Sequence, residues 1–209
     1  MTAADPARDG LDALRPFGVR QTWPSGATLL HQGEQPRLLF VIEHGEVALW
    51  DESGPERRLV QIVHKGASVG DLPVLLEEPC LYTAIARGET ATLGFSREQV
   101  HDLLELDPQI CFLWLRLLSR RLAAGYPRLV SLAGRSAGER VARFLLDELR
   151  EDEGKRIALT QSELASATGL SRQRVSHVLR ALERLGLVER GHGALRVLDP
   201  ERLRATLPR

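Results

Sequence analysis

Residues 170–182 read LSRQRVSHVLRAL, and how their side chains distribute around a helix decides the fold. At about 100° per residue, with Arg172 at zero, Ser176 falls near 40°, Arg180 near 80°, Gln173 near 100° and His177 near 140°. By the same geometry Val178, Leu185, Leu182, Val175 and Leu179 fall between about 220° and 340°. The two sets do not overlap, and Arg174 sits at their border. One face is oily and the other carries forked donors from the first turn onward. A helix N-terminus points N–H groups outward and favours phosphate oxygens. Arginine presents two parallel donors that match guanine O6 and N7, and glutamine matches adenine N6 and N7. His177 donates or accepts at a base edge, and Arg174 is placed for backbone phosphate.

Working outward, Thr160-Gln-Ser-Glu163 has capping-box spacing and starts a helix that stops near Gly169. Ser171 is the next N-cap. Helix, tight turn containing glycine, helix is the helix-turn-helix pattern. After Leu185, GLVERGHGALRVLD reads as two short strands about a Gly191-His-Gly193 turn. A helix-turn-helix followed by such a hairpin is a winged helix. A lone arginine-rich helix is most often the solvated face of a bundle. Here the capped partner helix, the hairpin and the local charge favour DNA. The candidate contacts are Thr160, Ser171, Arg172, Gln173, Arg174, Ser176, His177 and Arg180.

Lys plus Arg and Asp plus Glu both number 28, so total charge names no partner. The distribution does. Residues 155–209 hold eleven Lys/Arg against five Asp/Glu, which leaves 17 against 23 in residues 1–154. A positive C-terminal part suits double-stranded DNA. At 209 residues, two small domains are expected. Cys80 and Cys111 make neither a disulfide scaffold nor a metal cluster. No run of 18 apolar residues appears, so no membrane span is expected. The opening MTAADPARDG lacks a basic start and an apolar core, and residues 1–14 read as a frayed tail. The expected compartment is cytoplasmic.

From Val19 to Phe95 short apolar runs alternate with glycines: TLLHQGE, LLFVIEHGEVALWD, RLVQIVHKGASVGD and YTAIARGETATLGF. Each reads as strands meeting at a turn, and Gly33, Gly45, Gly66, Gly70 and Gly88 fall where reversals need positive φ. Such spacing predicts a sandwich or barrel. SREQVHDLLEL then reads as a short helix with Ser96 as N-cap. PQICFLWLRLLSRRLAAGYPRLVSLAG follows, apolar over more than one face, which predicts a helix buried on two sides. Ile110, Leu113, Trp114, Leu117 and Leu118 are the candidate dimer contacts. Gly125-Tyr126-Pro127 predicts a kink or break, because proline lacks the N–H and its ring meets the carbonyl of Ala123. Ser136-Ala-Gly-Glu139 opens one more capped helix.

With strands, long helix, capped helix and winged helix in this order, the chain resembles the CRP/FNR family of transcription regulators over about residues 15–200. The most specific stretches are TLLHQGEQPRLLFVIEHGEVALWDESG with KGASVGD, and LTQSELASATGLSRQRVSHVLRALERLGLV. The resemblance implies an α+β fold. Its parts are a cyclic-nucleotide-binding-like β-roll over 15–107, a dimerisation helix over 108–134 and a winged-helix DNA-binding domain over 135–209. It also implies a homodimer with two recognition helices one DNA turn apart, RNA polymerase as a further partner, and no catalytic activity. Arg172 matches the family's base-reading arginine. Gln173 stands where many members have glutamate, and His177 where many have arginine, so the operator is this chain's own.

The same resemblance places an effector pocket at Gly70, Asp71, Leu81, Tyr82, Thr83 and Tyr126. Members that bind cyclic AMP carry Gly-Glu for the ribose and Arg-Ser for the phosphate; Gly70-Asp71 and Leu81-Tyr82 stand there instead. A buried phosphate without its arginine lacks a charge-assisted partner, which argues against cyclic AMP. The cysteine cluster of iron–sulfur members is absent. No cofactor is expected. A cyclic-nucleotide-responsive regulator of the same fold is an alternative, as is a haem-responsive one through His31, His44, His64 and Cys80, and a metal-dependent cupin-type enzyme is a remote one.

Overall fold

The structure is a computed structural model that describes residues 14–106, 108–132, 136–149, 156–191 and 193–207. The chain divides into two compact units, Met1–Gly125 and Tyr126–Arg209. All but residue 14 of the expected tail, and His192 at the expected wing turn, lie outside the described residues.

Among the described residues the first unit holds eight strands: β1 (Val19–Trp23), β2 (Thr28–Leu30), β3 (Leu38–His44), β4 (Glu46–Asp51), β5 (Arg58–His64), β6 (Ser68–Val69), β7 (Thr83–Ala86) and β8 (Thr90–Ser96). They form two four-stranded antiparallel sheets, ordered β1-β8-β3-β6 and β2-β7-β4-β5. Period-two alternation assigns the faces. Phe40 and Ile42 of β3 meet Val47 and Leu49 of β4, Val63 and Ala84 in a core shared by both sheets. The opposite face of β3 and β8 carries Leu39, Val41, Leu93 and Phe95, and these are buried too. Both faces being covered explains why LLFVI is apolar without a break. Gly33, Gly45, Gly66 and Gly70 do take positive φ, but Gly88 does not.

Three helices accompany the strands: α1 (Asp71–Leu76), α2 (Arg97–Leu106) and α3 (Pro108–Leu132). Alpha-one was not legible from the pattern. Ser96 caps α2 as expected, its hydroxyl accepting the Gln99 N–H while its own N–H donates to the Gln99 side chain. Val100 and Leu103 of α2, with Ile110 and Trp114 of α3, cover the outer face of the β8–β3 sheet. Trp114 meets Phe95 edge-on, with ring centroids 5.8 Å apart.

This packing takes Ile110 and Trp114 out of the candidate dimer contacts. Ile110 and Trp114 are buried against their own sheet, and Leu113 and Leu118 pack partly on the same cluster. The Leu117 side chain lies outside the described residues. Among the described side chains of α3, Phe112, Leu115 and Leu122 are the large apolar ones left exposed, at 63%, 56% and 66%. Sequence spacing could show that two faces were apolar but not which one the sheet would take. Of the kink or break expected at Gly125-Tyr126-Pro127, the break is not found, since α3 runs helical to Leu132. A long helix loses one ladder bond at a proline and keeps the rest.

In the second unit, α4 (Ala137–Asp147), α5 (Gln161–Thr168), α6 (Arg172–Arg184) and α7 (Pro200–Ala205) accompany the sheet β10-β11-β9. Its strands are β9 (Arg156–Ile157), β10 (Val188–Gly191) and β11 (Ala194–Val197). The expected capping box of α4 is complete between Ser136 and Glu139. Alpha-seven has its own sequence signal, an Asp199 cap followed by Pro200 in the first turn. Val141, Leu145, Leu164, Val175, Leu179 and Val197 are buried together as the interior of this unit. Burying each such aliphatic side chain contributes about 1.5–3 kcal/mol.

Candidate nucleic-acid interface

The turn between α5 and α6 spans only Gly169, Leu170 and Ser171, and it is fixed at both ends. Thr160 caps α5, with the reciprocal bonds to Glu163 both present. Gly169 ends α5 at φ 62°, the left-handed conformation that glycine adopts without a Cβ clash. The Thr168 carbonyl in the last turn of α5 accepts Nη2 of Arg140 from α4. Ser171 then caps α6, its hydroxyl accepting the Arg174 N–H at 3.2 Å. Thr160 and Ser171, expected as DNA contacts, therefore commit their hydroxyl oxygens to the two helix starts. Both remain exposed.

Alpha-six divides as its spacing predicts. Val175, Val178, Leu179 and Leu182 are buried, and Leu185 is exposed at its C-cap. Arg172, Gln173, Arg174, His177 and Arg180 are exposed and Ser176 is half-buried. Among the described residues, no carboxylate pairs with Arg172, Arg174 or Arg180. Nε of Arg172 instead donates to the Ser162 hydroxyl at 3.0 Å. One edge of its guanidinium is thereby held while the Nη edge stays open. Arg180 donates from Nε to the Ser176 carbonyl at 3.3 Å.

Ser162, Arg140 and Arg190 were missed from the sequence. Arg190 on β10 forks onto Glu183, with Nε 2.9 Å from the carboxylate, and holds that carboxyl below its ordinary range. Glu183 is the acid on the polar side of α6, so this pair removes a charge that would repel phosphate. The three partners lie 10, 28 and 7 residues from the groups they serve. Only Arg190 to Glu183, close in the chain, leaves a hint in the sequence.

The expected effector residues come together only in part. Gly70 and Tyr82 meet, the Gly70 N–H donating to the Tyr82 hydroxyl at 3.1 Å. Asp71 is fully buried and accepts from the Ser68 hydroxyl at 3.2 Å. Leu81 turns to solvent at 68% exposure. Thr83 is buried, accepting the Gln32 N–H at 3.1 Å and donating to Glu52 at 2.5 Å. The Tyr126 side chain lies outside the described residues. His31 and His44 are exposed, and Nδ1 of His64 lies 3.0 Å from Glu46. Among the described residues no three His, Cys, Asp or Glu side chains form a metal-holding group, and no helix is long and apolar enough to cross a membrane.

Two family models match the chain: the cyclic nucleotide-binding domain over residues 20–107 and the Crp-like helix-turn-helix domain over 139–206. The HTH-type transcriptional regulator Cmr of Mycobacterium tuberculosis is 31% identical over 198 residues, covering 95% of this chain and 80% of that protein. The cyclic AMP receptor protein of Thermus thermophilus is 30% identical over 194 residues, covering 92% and 90%. A solved CRP/FNR-family transcriptional regulator, also from Thermus thermophilus, superposes with a TM-score of 0.75 at 26% identity, over 90% of this chain and 97% of its own.

Proposed function

Since the chain belongs to the CRP/FNR family of transcription regulators, we propose that it works as a homodimer whose two α6 helices read the halves of a two-fold symmetric DNA site. The carrying observation is the exposed Arg172–Arg180 face, capped at its start and free of pairing carboxylates among the described residues. Arg172 reads a base, with Gln173, Ser176, His177 and Arg180 available along the same groove. Arg174 anchors to phosphate. RNA polymerase is the further partner in this reading, because the outcome of binding is a change in transcription.

The dimer is supported by α3. Phe112, Leu115, Ser119 and Leu122 are exposed and spaced three, four and three apart, on the side away from Ile110 and Trp114. That spacing matches the seam of a two-stranded coiled coil. The sequence continues the spacing at Tyr126 and Leu129. Two copies of the seam cover apolar surface that a single chain leaves in water.

Selection of bound duplexes from a random pool tests both parts. Enrichment of a palindrome with half-sites about 10–10.5 base pairs apart, centre to centre, is expected. Phe112→Glu should abolish the preference for the palindrome by placing an unpaired charge in the seam. A pool that enriches nothing, or a lone half-site from the wild type, overturns the reading.

A further inference from the structure

Leu81 and Tyr82 are adjacent and have opposite fates. Leu81 is 68% exposed while Tyr82 is 7% exposed. The Tyr82 ring belongs to the core shared by the two sheets, packed with Leu29, Leu30, Phe40, Ile42 and Cys80. A phenol hydroxyl carried into such a core needs a partner, since an unpaired one is costly in apolar surroundings. It finds the Gly70 N–H at 3.1 Å.

A side chain at Gly70 would be strained. The glycine's φ is 80°, and a Cβ there would meet Leu30 Cδ1 at 2.9 Å. The wall at this point is therefore backbone, and its N–H donates to the buried Tyr82 hydroxyl. Gly70-Asp71 and Leu81-Tyr82 are also the two places where the resemblance to cyclic-nucleotide-binding members sets ribose and phosphate contacts. Here the first place is completed by the buried carboxyl of Asp71, an acceptor already bonded to Ser68. The second offers a solvent-facing leucine in place of a cation.

We infer that Tyr82 is a resident occupant of this site. Its ring takes the volume, and its hydroxyl takes the Gly70 donor, that an incoming nucleotide would require. The β-sandwich consequently turns away cyclic nucleotides, and the protein binds its DNA site without one. The phenol stays protonated throughout the working range because burial pushes it up to about 12. The last limb rests on the DNA-binding reading above; the exclusion of nucleotide does not.

The test uses the full chain in two arms. Calorimetry with cyclic AMP and cyclic GMP is expected to give no binding heat for the wild type or for Tyr82→Phe, which keeps the ring and its volume. The Leu81→Arg/Tyr82→Ser double variant empties the volume and supplies a cation, and should raise nucleotide affinity at least about tenfold. In the second arm, operator affinity by fluorescence anisotropy should be the same with and without either nucleotide. Wild-type binding of either nucleotide overturns the inference, as does a wild type that needs one to hold its operator. A folded double variant that still refuses nucleotide overturns it too. If the double variant does not fold, the wild-type and Tyr82→Phe titrations still decide. Failure to bind any DNA, with or without nucleotide, sinks the regulator reading alone and leaves the calorimetric outcome standing.

Discussion

Tyr82 and Arg172 are both polar side chains at the margin of an apolar unit, and the protein treats them oppositely. The Tyr82 hydroxyl is drawn inside and paired with a backbone N–H of its own chain. Arg172 is held at Nε by Ser162 and keeps its remaining donors in water. The difference follows from the cost of burial. A buried polar group must be satisfied internally, and once satisfied it has nothing left for a ligand. An exposed donor fixed by one bond loses little to hydration and remains available. On the reading proposed above, the region that sequence alone would label as a sensor is the internally completed one. The region that meets the outside is the short helix.

The contrast can be attacked at several strengths. The largest effect is expected inside the DNA-binding unit itself. Leu179 is completely buried, so Leu179→Ala should cost about 2–5 kcal/mol of stability, read by urea unfolding. Arg172→Ala, at the exposed first position of the same helix, should leave that stability within about 0.5 kcal/mol. Equal losses in the two variants would mean that Arg172 is structural.

Next comes the internal pairing of Tyr82. Its titration lies at 10.0 in an unstructured chain and about 12 when folded. The folded state therefore keeps a proton that the unfolded state releases. The contribution is complete below pH 10 and is lost as pH rises from about 10 to about 12. Tyr82→Phe has no phenol proton, so its urea midpoint should lose that part of the alkaline decline. A decline of the same steepness in both proteins would place the phenol in solvent.

Smaller effects belong to the exposed face. Arg172→Ala should weaken operator binding by about 1–3 kcal/mol and relax preference at one base pair, measured by anisotropy on single-position operator variants. Arg174→Ala should weaken all sequences alike and lower the slope of log affinity against log salt by about one. If Arg174→Ala instead relaxes one position, the border residue reads a base and the division of labour on α6 changes.

Legibility in the sequence tracked the distance over which each feature is decided. The capping boxes at Ser136 and Thr160, the Gly169 turn and the two faces of α6 are settled within four residues, and all were readable. The strands were readable as a pattern, because their apolar runs and turn glycines are also local. Residues 71–76 were not read as a helix, and Gly88 was assigned a conformation it does not take. Ile110 and Trp114 were assigned to a partner because their spacing matches a dimer seam as well as it matches a core face. Which of two apolar faces a helix buries is settled by the sheet that reaches it, and that sheet is built from residues far off in the chain.

The sequence by itself therefore determined the succession of strands, long helix and capped helix, the helix-turn-helix and the outward polar face, since periodicity and capping act between near neighbours. Only the tertiary structure decided that Tyr82 turns inward onto Gly70, that Ser162 steadies Arg172, and that Phe112, Leu115 and Leu122 rather than Ile110 and Trp114 are left exposed. Each of those outcomes depends on a partner brought close by folding, and burial is a property of the surroundings rather than of the residue.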